Sequence, residues 1–290
     1  MTVSTEAKLR SNEQLLRRCT SVETAKKLLP SLIDDVDTCT NQLDEVGVYS
    51  EHRIFKLRNL QDSVFLIPGF IDSCEVDDIM HKVLNKWIDN PPHANSLSTT
   101  LSGSMWKEYR SGNRSVAQLN KLRWSCVGFH YNWGNRSYDR DECSDFPTKL
   151  TTIYKEVLAC LNQARGSGTD LVGEAQSAII NFYHSHRVSD RLGGHRDDVE
   201  STDATPLVAV SMGLPGFFLI ENEALVLRSG DVLVMTDGAR QSLHGVPCVV
   251  GPTSRSRGKD SSVARDTSER EAISNFLDNT RISISIRQVY

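Results

Sequence analysis

The segment Arg281-Ile-Ser-Ile-Ser-Ile-Arg287 leaves a chain of this kind few ways to fold. Its strict alternation has the period of a β-strand, so Ile282, Ile284 and Ile286 share one face while Arg281, Ser283, Ser285 and Arg287 share the other. The isoleucine face calls for a core. Two arginines and two hydroxyls are not a core pattern; they suit the interior of a barrel that holds a dicarboxylate, because guanidinium forks pair with carboxylates through two parallel hydrogen bonds. Upstream, residues 206–212, 216–221, 224–227 and 231–235 are short apolar runs at turn-spaced intervals, the rhythm of antiparallel β architecture. The expected fold is α+β: a double-stranded β-helix, that is, a cupin-like jelly roll, with N-terminal helices buttressing the sheet.

A second stretch, residues 178–200, carries the chemistry. It opens on an apolar run, passes through Asn181 and Tyr183, and after a Gly193-Gly194 turn signal delivers His195 and Asp197 as a His-x-Asp pair. On extended backbone both side chains fall on one face and can grip one metal. Such a pair alone is weak, and the bland alternative is a solvated loop. Its weight comes from a downstream turn and apolar strand that lead to His244, which is otherwise read as a buried structural histidine. Two histidines and one carboxylate leave three coordination positions open, which suits non-haem iron(II) oxygenases that bind a co-substrate and dioxygen together.

Taken in order, Asn181 and Tyr183, His195 and Asp197, His244, then Arg281 and Arg287 resemble the AlkB family of Fe(II)- and 2-oxoglutarate-dependent nucleic-acid dioxygenases. The segments 122–133 and 281–289 resemble its AlkB homologue 1 branch. The resemblance runs from Leu122 to the end and more weakly from Phe65 to Lys121. It implies iron held by His195, Asp197 and His244. It also implies 2-oxoglutarate bound by Arg281 at its distal carboxylate with Asn181 and Tyr183 donating hydrogen bonds, and Arg287 steadying Asp197 or the near carboxylate. Ser283 stands where the family usually has Asn, which bears on co-substrate affinity. The implied reaction consumes dioxygen, gives succinate and carbon dioxide, and removes an N-methyl group from DNA or tRNA as formaldehyde, a chemistry of DNA repair and tRNA modification. The alternatives are the same chemistry on a methylated protein such as a histone, and a non-catalytic nucleic-acid-binding module.

Residues 122–133 are unusually aromatic, with Trp124, Phe129, Tyr131 and Trp133 beside Arg123, His130 and Arg136. Rings interleaved with cations suit an unpaired, bulged or flipped methylated base, stacking contributing about 1–3 kcal/mol per base. Trp124, Tyr131, Trp133 and Arg123 are the candidate substrate residues; ordinary sheet packing is the competing reading. Further Lys and Arg cluster at Lys107, Arg110, Arg114, Lys121 and Arg140 and again at Arg255, Arg257, Lys259 and Arg265, so local basic patches are compatible with the formal net charge of -4. For each one the plain alternative is a solvated surface.

Residues 1–60 read as a mainly helical, loosely attached extension, residues 61–121 as a strand, helix and loop that support the sheet, and residues 122–290 as the dioxygenase domain with its nucleotide-recognition lid. Helices are expected at 71–88, 150–161 and 271–277, a Ser/Thr-rich loop at 95–103, and a flexible insertion at 251–270. His184 and His186 read as surface or lid residues. The seven cysteines are scattered without a Cys-x2-Cys pair, which favours a reducing interior over a disulfide framework or a zinc finger. No run approaches the roughly 18 apolar residues of a membrane span, and the N-terminal residues lack the apolar core of a secretory signal. The expectation is an intracellular monomer, in nucleus, cytoplasm or mitochondrion, without membrane attachment.

Overall fold

The computed structural model describes residues 4–60, 63–97, 104–166, 169–185, 190–200, 204–251 and 268–290. Its strands in chain order are β1 (Leu43–Tyr49), β2 (His52–Leu57), β3 (Val64–Ile67), β4 (Ala94–Asn95), β5 (Trp124–Asn132), β6 (Ser137–Cys143) and β7 (Ser177–His184). There follow β8 (Leu192–His195), β9 (Leu207–Gly213), β10 (Gly216–Ile220), β11 (Glu223–Leu227), β12 (Val232–Met235), β13 (His244–Val246) and β14 (Thr280–Arg287). They form a large sheet ordered β1-β2-β3-β12-β9-β14-β7-β5-β4, with β6 paired to β5, and a small sheet ordered β11-β10-β13-β8. Every paired register within the two sheets is antiparallel. This is the double-stranded β-helix that the strand rhythm predicts.

Alternation along the central strands divides the interior in two. Ile282, Ile284 and Ile286 of β14 join Ile180 and Phe182 of β7 and Val208, Val210 and Met212 of β9 in a core covered by helices. Those helices are α3 (Ser73–Lys82), α4 (Met105–Arg110), α6 (Thr148–Arg165) and α7 (Glu269–Leu277), with α5 (Val116–Leu119) beside α4. In α6 the buried residues Leu150, Ile153, Tyr154, Val157, Leu158 and Leu161 recur at three and four, the stripe of a helix laid on a sheet. The opposite side chains of the large sheet, including Tyr183, Leu207, Ala209 and Leu233, meet Phe218, Ile220, Leu225, Leu227 and Val246 of the small sheet. Between the two sheets lies the space into which the arginines point.

The first sixty residues depart from the helical, loosely attached extension expected of them. Helices α1 (Thr5–Leu16) and α2 (Val22–Leu28) do form, but β1 and β2 make a hairpin that continues the large sheet through β3. The expected boundary at residue 60 therefore falls inside that sheet. The helices are also firmly docked: Leu9, Leu16 and Ala25 are buried against Phe217, Leu219, Ala224, Val226 and Leu243 on the outer face of the small sheet. Composition misled because the charged faces of α1 and α2 hid narrow stripes whose partners lie far along the chain. At Gly194 a side chain would have to displace Leu9, whose Cδ2 lies 2.9 Å from where a Cβ would stand.

The helix after Asp72 runs through α3 and a π-helical turn, Val83–Trp87. Asn95, the first residue of the expected 95–103 loop, pairs with β5 together with Ala94 before it, and residues 98–103 lie outside the described part. So do residues 252–267, which hold Arg255, Arg257, Lys259 and Arg265, and so does His186. Helix α7 begins at Glu269 behind a capping box between Ser268 and Glu271. Among the described residues no helix is long and apolar enough to cross a membrane.

Because Leu9 is fully enclosed, Leu9→Ala is expected to lower unfolding stability by about 2–5 kcal/mol, measured by denaturant titration. A change within about 0.5 kcal/mol, the range of surface substitutions, would mean that α1 is detached in solution.

Candidate metal centre

His244 of β13 stands directly opposite His195 of β8, the two being cross-strand partners in the small sheet. Their ring centroids are 4.3 Å apart. Each imidazole is oriented by its own strand: His195 Nδ1 faces the carbonyl of Gly193 at 3.0 Å and His244 Nδ1 that of Ser242 at 2.9 Å. A carbonyl oxygen can only accept, so both Nδ1 atoms carry the proton and both Nε2 lone pairs are free for a metal. Asp197, just past β8, brings Oδ1 to 3.6 Å from His195 Nε2 and Oδ2 to 3.9 Å from His244 Nε2. The three ligand atoms lie within 4.8 Å of one another, and among the described residues this is the one group of three or more His, Cys, Asp and Glu side chains that could hold a metal. Burial pushes the His244 imidazole down to about 4, so it is neutral and able to coordinate at physiological pH.

Asp197 leads into a chain of buried charges. Arg287 Nη1 lies 3.1 Å from Asp197 Oδ2 and 2.9 Å from Glu200 Oε1, and Arg240 Nη2 lies 3.5 Å from Glu200 Oε2. Burial alone would raise the Asp197 carboxyl, but Arg287, His244, His195 and Arg240 together hold it well below the usual carboxylate range. No motif in the sequence singles out Glu200 or Arg240. Their one advance signal was position, three residues after Asp197 and four before His244.

Arg281 is the other buried cation, 1% exposed. Its Nη1 donates to the carbonyl of Leu227 at 3.0 Å and its Nη2 lies 3.0 Å from Ser211 Oγ, while its Nε has no partner among the described residues. No carboxylate there pairs with it, and burial pushes its guanidinium down to about 10. Gly216 makes its room: a Cβ at that position would stand 2.5 Å from Arg281 Cδ. Register sets Tyr183 beside Arg281 and Asn181 beside Ser283 on the neighbouring strand. A cavity of about 610 Å³ joins Asn181, Tyr183, Arg281, Ser283 and Arg287 to His195, Asp197 and His244. A ligand set of two nitrogens and one oxygen fits iron(II), and a buried arginine without a carboxylate partner fits the free end of 2-oxoglutarate.

The candidate substrate residues separate. Tyr131 and Trp133 line the same cavity, with ring centroids 4.7 Å apart, and Trp133 is 45% exposed. Trp124 packs its ring on Trp133 at 5.4 Å and is outside the lining. Arg123 is turned away, its guanidinium ion-paired with buried Asp190, so it serves packing rather than the cavity. Arg136 lines the mouth and pairs with Asp198 at 2.8 Å. Arg114 pairs with Glu108, and Arg140 lies over the ring of Tyr290. Against expectation His184 is buried rather than superficial, its ring held between Thr280 Oγ1 and the carbonyl of Leu122. All seven cysteines are free.

Sheet, cavity and ligand set together define a class. The chain belongs to the 2OG-Fe(II) oxygenase superfamily, whose sequence model matches residues 67–287. Membership makes it a dioxygenase with iron(II) and 2-oxoglutarate as cofactors. It is 30% identical over 212 residues to DNA N(6)-methyladenine demethylase ALKBH1A of Arabidopsis thaliana, covering 66% of this chain and 59% of that one, and so spans less than two thirds of that relative. It is 25% identical over 273 residues to tRNA demethylase abh1 of Schizosaccharomyces pombe, covering 84% of each. The solved structure of OsALKBH1 shares the fold, with a TM-score of 0.52 at 20% identity over 78% of this chain and 96% of that one. These relatives belong to the AlkB family, and the chain sits with them on the AlkB homologue 1 branch.

Loss of Asp197 removes one of three ligands without opening the core. Asp197→Ala is expected to keep a cooperative unfolding transition while Mn(II) affinity drops by about a hundredfold or more, beyond the range of lost outer partners. Isothermal titration reads both the affinity and the stoichiometry; unchanged affinity would put the metal elsewhere.

Proposed function

We propose that the protein is an oxidative demethylase of N-methylated bases in nucleic acid. The observation that carries this reading is a single cavity: the residues suited to metal and 2-oxoglutarate share it with Tyr131, Trp133 and Arg136. His195, Asp197 and His244 would hold iron(II), and Arg281 would take the distal carboxylate of 2-oxoglutarate, with Asn181, Tyr183 and Ser283 lining its path. When bound, iron(II) with 2-oxoglutarate and dioxygen supplies the oxidation of a methyl C–H bond, after which the hydroxymethyl group leaves the base nitrogen as formaldehyde.

The rest of the work falls to the chain itself. Leu207, Phe218, Leu227 and Leu233 line the cavity and keep bulk water from the reacting centre. Tyr131 and Trp133 offer ring faces for an unpaired or flipped base, and Arg136 offers a cation for the adjoining phosphate. The named activities of the relatives, on DNA adenine and on tRNA, support a nucleic-acid substrate and leave both polymers in view. Such a substrate implies an intracellular site of action, in nucleus, cytoplasm or mitochondrion.

Extracting a base from a duplex costs a few kcal/mol, so single-stranded, bulged and stem-loop oligonucleotides with one methylated adenine or cytosine should react faster than perfect duplexes. Binding should weaken as salt rises, because phosphate contacts release counterions. Nucleoside mass spectrometry at two salt concentrations reads the first and a filter-binding titration the second. Turnover of methylated peptides with none of these nucleic acids would transfer the chemistry to protein.

The assignment of Arg281 has its own test. Arg281→Lys keeps the charge but loses the fork, so the affinity for 2-oxoglutarate should fall by roughly tenfold or more, about 1.4 kcal/mol per decade. An unaltered dissociation constant would remove Arg281 from the co-substrate site.

A further inference from the structure

We propose that Glu200 and Arg240 are positioning residues that make Asp197 a one-oxygen ligand. The inference rests on the reading of His195, Asp197 and His244 as metal ligands and is independent of the substrate. Arg287 Nη1 lies 3.1 Å from Asp197 Oδ2 and 2.9 Å from Glu200 Oε1. Asp197 Oδ1 faces His195 Nε2 at 3.6 Å, while Oδ2, the oxygen beside Arg287, lies 3.9 Å from His244 Nε2.

Geometry explains why the second carboxylate matters. A guanidinium with a single carboxylate partner frequently forms the two-pronged pair, which would occupy both oxygens of Asp197. Glu200 draws Arg287 off that arrangement by claiming the same Nη1. Glu200 is itself fixed from behind by Arg240, whose side chain is 0% exposed and whose Nε, Nη1 and Nη2 donate no hydrogen bond among the described residues. Arg240 therefore acts through charge, at 3.5 Å. The side chains of Glu200 and Arg287 are 2% and 5% exposed, so solvent does not loosen the chain. With Oδ2 committed to Arg287, Asp197 offers Oδ1 to the metal, and three positions stay open for a chelating keto acid and dioxygen. A carboxylate bound through both oxygens would close one of them.

The test is anaerobic titration of the whole protein with Co(II), read by affinity and by the visible absorption band, whose shape and intensity follow coordination number and geometry. Glu200→Gln and Arg240→Met should each bind Co(II) about 10–100-fold more weakly, as loss of outer partners of metal ligands does, and shift the band. Arg240→Lys keeps the charge that matters and should match the wild type in both readouts. Should Glu200→Gln fail to fold, the double variant Glu200→Gln with Arg240→Met removes one charge of each sign and is expected to fold with the same weakened binding. Wild-type affinity and spectrum in a folded Glu200→Gln or double variant would reduce the network to a packing role. Absence of Co(II) binding by the wild type would instead overturn the metal centre, and this inference with it.

Discussion

β14 is hydrogen-bonded along both edges, to β7 on one side and β9 on the other, and the rest of the molecule depends on that register. A slip of one residue would turn three isoleucines into the cavity and bury Arg281 and Arg287 among the helices behind the sheet. Each isoleucine contributes about 1.5–3 kcal/mol by burial, and an unpaired guanidinium in an apolar core would cost several more. Both faces of the strand thus vote for the same register. It follows that the arginines are aimed with the precision of the core rather than that of a loop.

Although they share one face of one strand, the two arginines end in opposite electrostatic states. Burial works against the charge of each. At Arg287 it is overcome by Asp197, Tyr138 and Glu200, which hold the guanidinium above its ordinary range. At Arg281 the helping groups are weaker, Tyr183 and Asp231, and burial prevails. One end of the cavity is therefore internally neutralised while at the other the positive charge is only weakly compensated. An anion with two carboxylates would meet a directional field, its free end drawn to Arg281 and its chelating end left to the metal side.

Local rules read well wherever a residue's role follows from its immediate neighbours. Alternation in residues 281–287 foretold both faces of β14, and the His-x-Asp pair with a later His foretold three side chains that the fold brings together. The same reasoning failed where the decisive partner was remote. Arg123 reads as a substrate cation until Asp190 is seen beneath it. His184 reads as superficial until Thr280 and Leu122 enclose its ring. Glu200 and Arg240 are two charged residues among many until the roll sets Glu200 between Arg287 and Arg240. Tertiary pairing of charges leaves no periodic trace, which is why it escaped.

The docking of α1 also has a bearing on how the protein is made. The helix precedes the small sheet in the chain, yet its apolar stripe at Leu9 and Leu16 takes much of its cover from β10, β11 and the segment before His244. During translation that stripe stays without its native cover until the small sheet has emerged, a long-range closure of the kind that slows folding and invites wrong pairings. The strand that carries His195 gains its outer wall at the same moment. Completion of the metal centre is thus tied to the docking of α1, and a nascent protein would become competent for iron only once that helix has found the small sheet.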